Sequence, residues 1–223
     1  MVPVLYRDDA CVAVLKPCGV AAVPECAGDT DCLSARLCAE LGRRVFPVHR
    51  LDKEVSGVIL YALTADAHRF LNLAFERRKV CKTYLAVVHG AWNAVSGVID
   101  RPLRAFGSGR IGVDEANGKP SRTHYEVLLS NADYALVRLR PETGRRHQLR
   151  AHLYSLGHPI AGDARYGNPA RRSGHPRLML TATGLSLRLP TGTRLELRDV
   201  IPQDFLDATR AFYGLEWQGF PSP

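Results

Sequence analysis

The stretch of sequence that decides the fold is VHRLDKEVSGVILYAL, residues 48–63. Its second half, residues 58–63, is apolar apart from one phenol. A short run of this kind, bounded by a Ser-Gly pair and a threonine, predicts a strand with both faces covered. The first half is dense in polar and charged side chains: His49, Arg50, Asp52, Lys53 and Glu54. The sequence therefore predicts a charged loop on a rigid support, an arrangement that often positions functional groups.

Asp52 is the candidate reactive group of this loop, and it has two interpretations. An aspartate beside arginine and lysine is most often a turn or helix-capping residue in a solvated ion pair. A carboxylate in a basic loop can also act as a nucleophile or a base. Local sequence alone favours the turn interpretation, so the choice depends on other segments of the chain.

Four segments in the same order resemble one protein family. HRLDKEVSG, residues 49–57, resembles the HRLDxxTSG segment of the RluA family of RNA pseudouridine synthases. The other matching segments are VAVLKPCGVAAVP, VCKTYLAVVHG and ETGRRHQLRAHLYSLGHPIAGDARYG, at residues 12–24, 80–90 and 142–167. Three positions depart from the family pattern, namely Val55, Arg146 and Thr181, where Thr, Thr and His are usual. None of these departures removes a proposed catalytic group.

The resemblance implies an isomerase that converts a uridine in structured RNA to pseudouridine. It implies that Asp52 is catalytic, that Tyr84 stacks on the target base close to Asp52, and that Arg150 pairs with Asp52. A guanidinium beside a carboxylate favours its ionised, nucleophilic form. We expect the remaining substrate contacts to come from Arg50, His49, Leu149, Arg145, Arg146 and Gln148. Arg50 would help to displace the base, Leu149 would pack against it, and a helix N-terminus near Arg145 would favour phosphate.

The fold implied by the resemblance is α+β, with a mixed, mostly antiparallel sheet and flanking helices in two halves around a basic catalytic cleft. Residues 1–223 are expected to form a single pseudouridine synthase catalytic domain. The accessory N-terminal RNA-binding domain of the family is expected to be absent, because the match begins almost at Met1. A monomer is expected.

Composition favours a polyanionic partner. The chain has 223 residues, 46% of them hydrophobic, and Lys plus Arg outnumber Asp plus Glu by 30 to 22, a formal net charge of +8. This chain can bury a substantial core, and its basic balance suits an RNA substrate, tRNA or rRNA. The basic residues cluster near the motif segments: Arg77, Arg78, Lys79 and Lys82; Arg145, Arg146 and Arg150; Arg171, Arg172 and Arg177.

Cysteine spacing indicates reduced thiols and a cytoplasmic protein. The six cysteines form no CxxC pair and no Cys/His zinc spacing: Cys11, Cys18, Cys26, Cys32, Cys38 and Cys81. No signal peptide and no membrane helix is expected. The predicted reaction needs no metal and no organic cofactor, although a metal or redox site among the N-terminal cysteines remains an alternative. His147 with Asp163 lacks the ligand spacing of a metal site.

Two other functional classes compete with a synthase. A catalytically silent RNA-binding protein would need the basic clusters but not the set of Asp52, Tyr84 and Arg150. A phosphate-ester hydrolase could use an aspartate in a basic loop, but it would normally add metal-binding carboxylates or a phosphate loop. The sequence has neither.

Hydrophobic periodicity predicts the remaining elements. Helices are predicted at 32–41, 143–156 and 203–213, and another after Thr64, which is expected to cap it. Strands are predicted at 3–5, 12–15, 82–88, 125–129, 134–140, 178–182, 185–189 and 194–197. Residues 104–110 are predicted to form a mobile basic loop that either touches RNA or is a solvated connector, and 158–168 a turn-rich linker. Lys16 is expected to contact backbone or phosphate, and His152 to be a hydrogen-bonded core histidine.

Overall fold

The computed structural model describes residues 1–24, 31–107, 109–167 and 174–215. These residues form two compact units. Unit 1 contains Met1–Lys82 and Ala182–Pro202, and unit 2 contains Thr83–Thr181 and the segment from Gln203. Some residues named above lie outside the described ranges: Cys26, Ser108, Asn168, Arg171 and Arg172.

Runs of strands along the chain are separated by single helices, as in an α+β protein and as predicted. The strands are β1 (Val4–Arg7), β2 (Cys11–Lys16), β3 (Phe46–Pro47), β4 (Ser56–Ala62), β5 (Cys81–His89), β6 (Ser96–Asp100), β7 (Leu103–Ala105), β8 (Ile111–Val113), β9 (Arg122–Ser130), β10 (Tyr134–Pro141), β11 (Leu180–Arg188) and β12 (Arg194–Leu197). The helices are α1 (Leu33–Leu41), α2 (Ala65–Glu76), α3 (Gln148–Ser155) and α4 (Gln203–Tyr213). Among the helices in the described ranges, none has the length and apolar character needed to cross a membrane.

Unit 1 is built on a sheet in the order β1-β2-β4-β11, with β3 beside β4 and β12 beside β11. Strand β4 is buried along its whole length, which confirms the strand predicted from the apolar run. Strand β2 pairs with it antiparallel, from Cys11 opposite Ala62 to Lys16 opposite Gly57. This register places the end of β2 beside the start of β4, where the charged loop joins the sheet.

Gly57 allows β4 to lie close to β11. Its φ is +115°, and a Cβ there would lie 2.1 Å from the carbonyl oxygen of Ala182. A larger residue would therefore meet the neighbouring backbone, and L side chains rarely adopt this conformation. The glycine that follows the charged loop is thus required by the packing of the strand behind it.

Helix α2 covers the core of unit 1 and begins where the sequence predicted. The Thr64 side chain accepts a hydrogen bond of 3.1 Å from the Ala67 amide, which satisfies one of the free donors of the first turn. Ala67 and Leu71 are the buried residues of this helix and pack in the same cluster as Leu60 of β4. The predicted cap is confirmed, whereas Phe70, an apolar residue of the same helix, is 42% exposed.

Unit 2 has its own strand order, β5-β10-β9-β6, and a separate β7-β8 hairpin. Strands β9 and β10 pair antiparallel, as predicted, with an irregularity between Leu136 and Val137. Their turn is fixed by the Asn131 carboxamide oxygen, which accepts from the amides of Asp133 at 3.0 Å and Tyr134 at 2.8 Å. Asparagine favours such turns because its side chain binds backbone two residues on.

The predicted helix at 143–156 starts too early. His147 has φ 51° and ψ 23°, a left-handed conformation that a right-handed helix cannot contain, so α3 begins at Gln148. The preceding residues form a turn held by the Gln148 side chain. Its oxygen accepts from the Thr143 hydroxyl at 2.7 Å and the Arg145 amide at 3.0 Å. A turn held by the Gln148 side chain therefore replaces the first predicted helical turn.

The two strands predicted at 178–182 and 185–189 are one strand, β11. Gly184 lies inside it and does not end it. Pairing with β12 runs without a break from Leu185 opposite Leu197 to Arg188 opposite Arg194. The predicted break between residues 182 and 185 was therefore wrong, and the strand continues through Gly184. The predicted basic loop at 104–110 is largely part of the β7-β8 hairpin.

Candidate active site

Asp52 lies in a tight turn just before β4. The Val55 amide donates to the Asp52 carbonyl at 3.0 Å, which closes the turn, and the Asp52 side chain is partly buried. The adjacent carbonyl of Lys53 accepts from the Gly19 amide at 2.9 Å. The Cys18 thiol reaches the Glu54 carbonyl at 3.0 Å. The turn is therefore attached to both the strand behind it and the loop after β2.

Lys16 supports the same turn from inside unit 1. It is fully buried, and its ammonium donates to the carbonyls of Pro17, Val20 and Lys53, the last at 3.0 Å. A buried charge is tolerated only when it is well hydrogen-bonded, so this lysine fixes the backbone one residue beyond Asp52. Of the two roles expected for Lys16, the structure shows the backbone contact.

His49 is held against the sheet by a backbone hydrogen bond. Its Nε2 accepts from the Leu60 amide at 3.0 Å, and its ring stacks on Phe75 at 4.7 Å between centroids. Burial, and to a smaller extent the positive charge of Lys82, lowers the pKa of His49 from 6.5 to about 3. The imidazole is therefore neutral near pH 7 and acts as a hydrogen-bond acceptor. Its substrate-binding role stays a prediction.

The neutral state of His49 makes stability depend on pH. The folded protein keeps this ring neutral down to a pKa of about 3, whereas the unfolded chain binds a proton below 6.5. The unfolded state then carries more protons in that interval, so the free energy of unfolding should fall as pH falls through it. We expect the thermal midpoint to drop between about pH 7 and about pH 5. Burial also lowers the pKa of His152, with the same sign.

A His49→Gln variant is the control for this effect. Glutamine can still accept from the Leu60 amide but does not titrate. Its thermal midpoint should depend less steeply on pH than that of the parent over the same interval. Identical slopes for the two proteins would mean that His49 contributes nothing to the acid sensitivity.

Tyr84 lies on β5 opposite Leu139 of β10, with its side chain partly buried. The residues that follow it on β5 are fully buried, so the phenol lies where the strand leaves the core of unit 2. A phenol in this position combines an apolar ring face with a polar tip. This is compatible with the predicted stacking role, which stays a prediction.

Gln148 and Leu149 begin α3 and are both buried. The Gln148 amide nitrogen donates to the Arg122 carbonyl and the Thr123 hydroxyl, each at 3.0 Å. Together with the two bonds that its oxygen accepts, these contacts give the Gln148 side chain four hydrogen bonds within the protein. Arg145 and Arg146, in the turn before α3, are exposed. The structure therefore brings the predicted phosphate contacts together at the start of α3, with arginines outside and glutamine inside.

The guanidinium of Arg150 is held by the carboxylate of Asp163. Its Nε and Nη2 donate to the two carboxylate oxygens of Asp163, both at 2.8 Å, and both side chains are buried. This bidentate geometry fixes the plane of the guanidinium. Asp163 is itself fixed, because one of its oxygens accepts from the amides of Arg165 at 2.9 Å and Tyr166 at 3.0 Å. The pairing of Arg150 with Asp52 stays a prediction.

Tyr166 completes the surroundings of Arg150. The Arg150 guanidinium carbon lies 5.3 Å from the centre of its fully buried ring. The Tyr166 hydroxyl accepts from the Ile111 amide of β8 at 3.0 Å and is 3.1 Å from Nδ1 of His147. The turn from Asp163 to Tyr166 thus links α3 to the β7-β8 hairpin.

Asp163 and Tyr166 are the functional candidates that sequence reasoning missed. Asp163 was considered only as a weak metal ligand, and Tyr166 was placed in a linker. The signal was present in the segment GHPIAGDARYG, which matched the family but carried no assigned roles. Gly162 just before them has φ +75°, and a Cβ there would lie 1.9 Å from the Arg177 carbonyl oxygen, which marks a tightly packed turn.

Two further titratable residues, His152 and Arg177, have structural partners in unit 2. His152 is fully buried, with Nδ1 3.0 Å from the Thr123 hydroxyl and Nε2 3.0 Å from the Arg101 carbonyl, which confirms it as a core histidine. Arg177 is paired with Asp204. In the ranges that the structure describes, no group of three or more His, Cys, Asp or Glu side chains could hold a metal ion.

Comparison with known proteins gives consistent matches. A family model described as RNA pseudouridylate synthase matches residues 10–155. The dual-specificity RNA pseudouridine synthase RluA of Escherichia coli (strain K12) is 41% identical over 195 residues, covering 84% of this chain and 87% of that protein. The tRNA pseudouridine synthase C of Yersinia pestis is 36% identical over 220 residues, covering 88% of this chain and 85% of that protein.

Solved structures agree with the sequence matches. Human RNA pseudouridylate synthase domain containing 1 aligns with a TM-score of 0.80 and 29% identity, covering 93% of this chain and 86% of that one. Human RNA pseudouridylate synthase domain containing 4 aligns with a TM-score of 0.76 and 28% identity, covering 93% and 92%. The resemblance found in the four sequence segments and the α+β fold are thereby confirmed. The chain belongs to the RNA pseudouridylate synthase family and is an isomerase that converts uridine in RNA to pseudouridine.

Proposed function

We propose that Asp52, Tyr84 and Arg150 carry the isomerisation. The observation that supports this most strongly is the rigid support of Asp52, whose turn is held by Lys16 and Gly19 through the Lys53 carbonyl. A reactive group must be held within a fraction of an ångström of its productive position. Arg150 is similarly fixed by its two bonds to Asp163.

The proposed reaction breaks one bond and forms one, without an external group donor or a redox step. The N1–C1′ bond of the target uridine is cleaved, the uracil rotates, and C5 forms the new bond to C1′. The hydrogen on C5 then leaves as a proton, which Tyr84 or a water accepts, and the ring regains its original unsaturation while N1 is protonated. Asp52 attacks C1′ or C6 or deprotonates the sugar, and each of these routes requires an ionised carboxylate. No metal or organic cofactor is needed.

The substrate-binding residues are proposed to act on a base that has left its stack. A base inside structured RNA must be extruded before chemistry can reach it, and a planar cationic side chain can take its place in the stack. Exposed Arg50 serves this role, while Leu149 packs against the target. Arg145 and Arg146 bind phosphates. His49 and Gln148 belong to the same substrate-binding set, where their internal hydrogen bonds keep the surrounding backbone in place.

We further propose that the RNA substrate is a tRNA or an rRNA. This is supported by similarity to one relative named as a tRNA pseudouridine synthase and to another named as a dual-specificity RNA pseudouridine synthase. The proposed enzyme acts in the cytoplasm as a monomer, with the whole chain as one catalytic domain.

Comparing pseudouridine maps of total RNA from cells with and without the gene tests the substrate. We expect one or a few sites in tRNA or rRNA to lose pseudouridine when the gene is absent and regain it when the parent gene is restored. Restoration with an Asp52→Asn gene should not return the modification. Maps that are identical with and without the gene would contradict the proposal.

Binding to RNA should depend strongly on salt. Arg145, Arg146 and the basic segment 77–79 are exposed, and each phosphate that they neutralise releases counterions. When three of these five residues each neutralise one phosphate, affinity should fall by about tenfold or more between about 50 and about 200 mM salt. Equilibrium binding of the RNA identified by mapping, measured across this range, checks the slope. An affinity that does not change with salt would contradict phosphate-dominated binding.

A further inference from the structure

A groove runs between the β7-β8 hairpin and α3 in unit 2. We call it the hairpin groove. It encloses about 390 Å³, within the range of roughly 300–1,000 Å³ typical of ligand pockets. The residues that line it include Phe106, Arg110 and Val113 on the hairpin and Ala151, Tyr154 and Ser155 on the helix. None of its lining residues, all of which lie in the described ranges, is acidic.

Two aromatic side chains remain exposed on opposite walls of the hairpin groove. Phe106 on the hairpin and Tyr154 on the helix are each 46% exposed, an unusual fraction for large aromatic residues. The Phe106 ring lies over Gly112, where a Cβ would come 3.0 Å from it. The glycine thus leaves room for the ring on its inner side while the outer side faces solvent.

The Arg110 guanidinium of the groove stacks on the exposed Tyr154 ring and on the buried Tyr166 ring. The Arg110 guanidinium carbon is 4.6 Å from the centre of the Tyr154 ring and 5.1 Å from that of Tyr166. Such stacking restrains both the arginine and the tyrosine. The groove therefore combines flat aromatic faces with a positive charge, which suits a planar group attached to a polyanion.

The walls of the groove are also held in place. The Ile111 amide donates to the buried Tyr166 hydroxyl, and the Arg101 guanidinium donates to the Ser155 carbonyl at 2.7 Å. These bonds tie the hairpin to the end of α3. A preformed site loses less conformational entropy on binding than a flexible loop would.

We propose that the hairpin groove binds an unpaired nucleobase of the substrate RNA other than the uridine that reacts. This rests on the proposed function, because it takes RNA as the ligand. Every nucleobase has two π faces, so aromatic and arginine surfaces bind unpaired bases with little sequence preference. No carboxylate is among the lining residues, so the groove itself offers no group for the reaction proposed for Asp52. The groove therefore lets the protein contact a second nucleotide of the RNA in addition to the uridine that reacts.

Photocrosslinking locates the contact directly. The probe is a short single-stranded RNA of uridine and 4-thiouridine, irradiated with the parent protein and analysed by mass spectrometry after trypsin digestion. The exposed aromatic residues of the two walls, Phe106 and Tyr154, fall on tryptic peptides 105–110 and 151–165, neither of which contains Asp52 or Tyr84. We expect crosslinks in one or both of these peptides.

Binding measurements with variants give the second readout. Phe106→Ala and Tyr154→Ala should each weaken binding of this probe by roughly fivefold to a hundredfold, the range for loss of one stacked base. Both side chains are exposed, so the thermal midpoint should hardly change. Tyr154→Phe keeps the ring and should bind like the parent. Phe70→Ala is the matched control, since Phe70 is 42% exposed on α2, outside the groove.

The possible failures are distinguishable. Crosslinks only in other peptides, or affinities of both alanine variants equal to that of Phe70→Ala, would overturn the groove proposal while leaving the synthase intact. A protein that forms no crosslink anywhere and changes no pseudouridine in cells would overturn the proposed function, and the groove proposal with it.

Discussion

Asp52→Asn is expected to reduce pseudouridine formation by about a thousandfold or more while RNA binding persists. Asparagine keeps nearly the same shape but cannot act as a charged nucleophile or base. The surrounding turn depends on backbone groups, since the Asp52 carbonyl accepts from Val55 and the Lys53 carbonyl from Lys16. The fold should therefore survive, and affinity, which depends on arginines, should be unchanged or higher.

Two measurements on one preparation decide this prediction: single-turnover pseudouridine formation at saturating RNA and the thermal midpoint. Glu54→Gln is the matched control, because Glu54 is an exposed carboxylate in the same turn, and this variant should react like the parent. If Asp52 were only a turn or capping residue, its loss would cost stability by about 0.5–2 kcal/mol and leave the folded fraction active. An active but less stable Asp52→Asn would assign Asp52 to the scaffold.

Arg150→Lys is expected to lower turnover by roughly tenfold to a hundredfold and to affect RNA binding much less. Lysine keeps the charge but cannot make the two parallel bonds that Arg150 makes to Asp163. A charge-assisted hydrogen bond contributes about 1.5–3 kcal/mol. Raising the activation free energy by this amount corresponds to the expected range of rates. The same substitution would also weaken the predicted pairing of Arg150 with Asp52, because lysine lacks the planar guanidinium.

Stability must be followed in the same experiment, since a weakened buried ion pair also destabilises the fold. Measuring turnover at saturating RNA, well below the thermal midpoint, separates the two effects. Arg146→Lys, a change of the same kind at an exposed position, is the control and should react like the parent. Equal turnover of Arg150→Lys and the parent would rule out a role for the guanidinium plane.

Local signals in the sequence were enough for much of the fold. Strand β4 followed from an uninterrupted apolar run, and the start of α2 followed from a capping Thr64 and a regular apolar stripe. Both depend on neighbours in sequence, which is why they could be predicted. The start of α3 depends instead on the left-handed His147 and on Gln148 bonding across to Arg122, a contact between residues far apart in the chain.

The candidate site shows the same division. Asp52, Tyr84 and Arg150 were predicted as site residues because they occupy family motif positions, whereas periodicity alone would have treated Tyr84 as a core-edge aromatic. The role of Asp163 was missed because it depends on geometry: two oxygens at 2.8 Å from two nitrogens of one guanidinium. A sequence shows that Arg150 and Asp163 are present but not that the two nitrogens each lie within hydrogen-bond distance of one of the two oxygens.

In the proposed mechanism, the buried bidentate pair of Arg150 and Asp163 acts in the chemical step and not in the long-range attraction of the RNA. The opposite charges of a close pair largely cancel at long range, so this pair adds little to the field that draws a polyanion from solution. Exposed charges create that field and are screened over a Debye length of about 8 Å at physiological ionic strength, whereas buried pairs are screened much less. Ionic strength should therefore change how often an RNA arrives and leave the alignment of the Arg150 guanidinium by Asp163 unchanged.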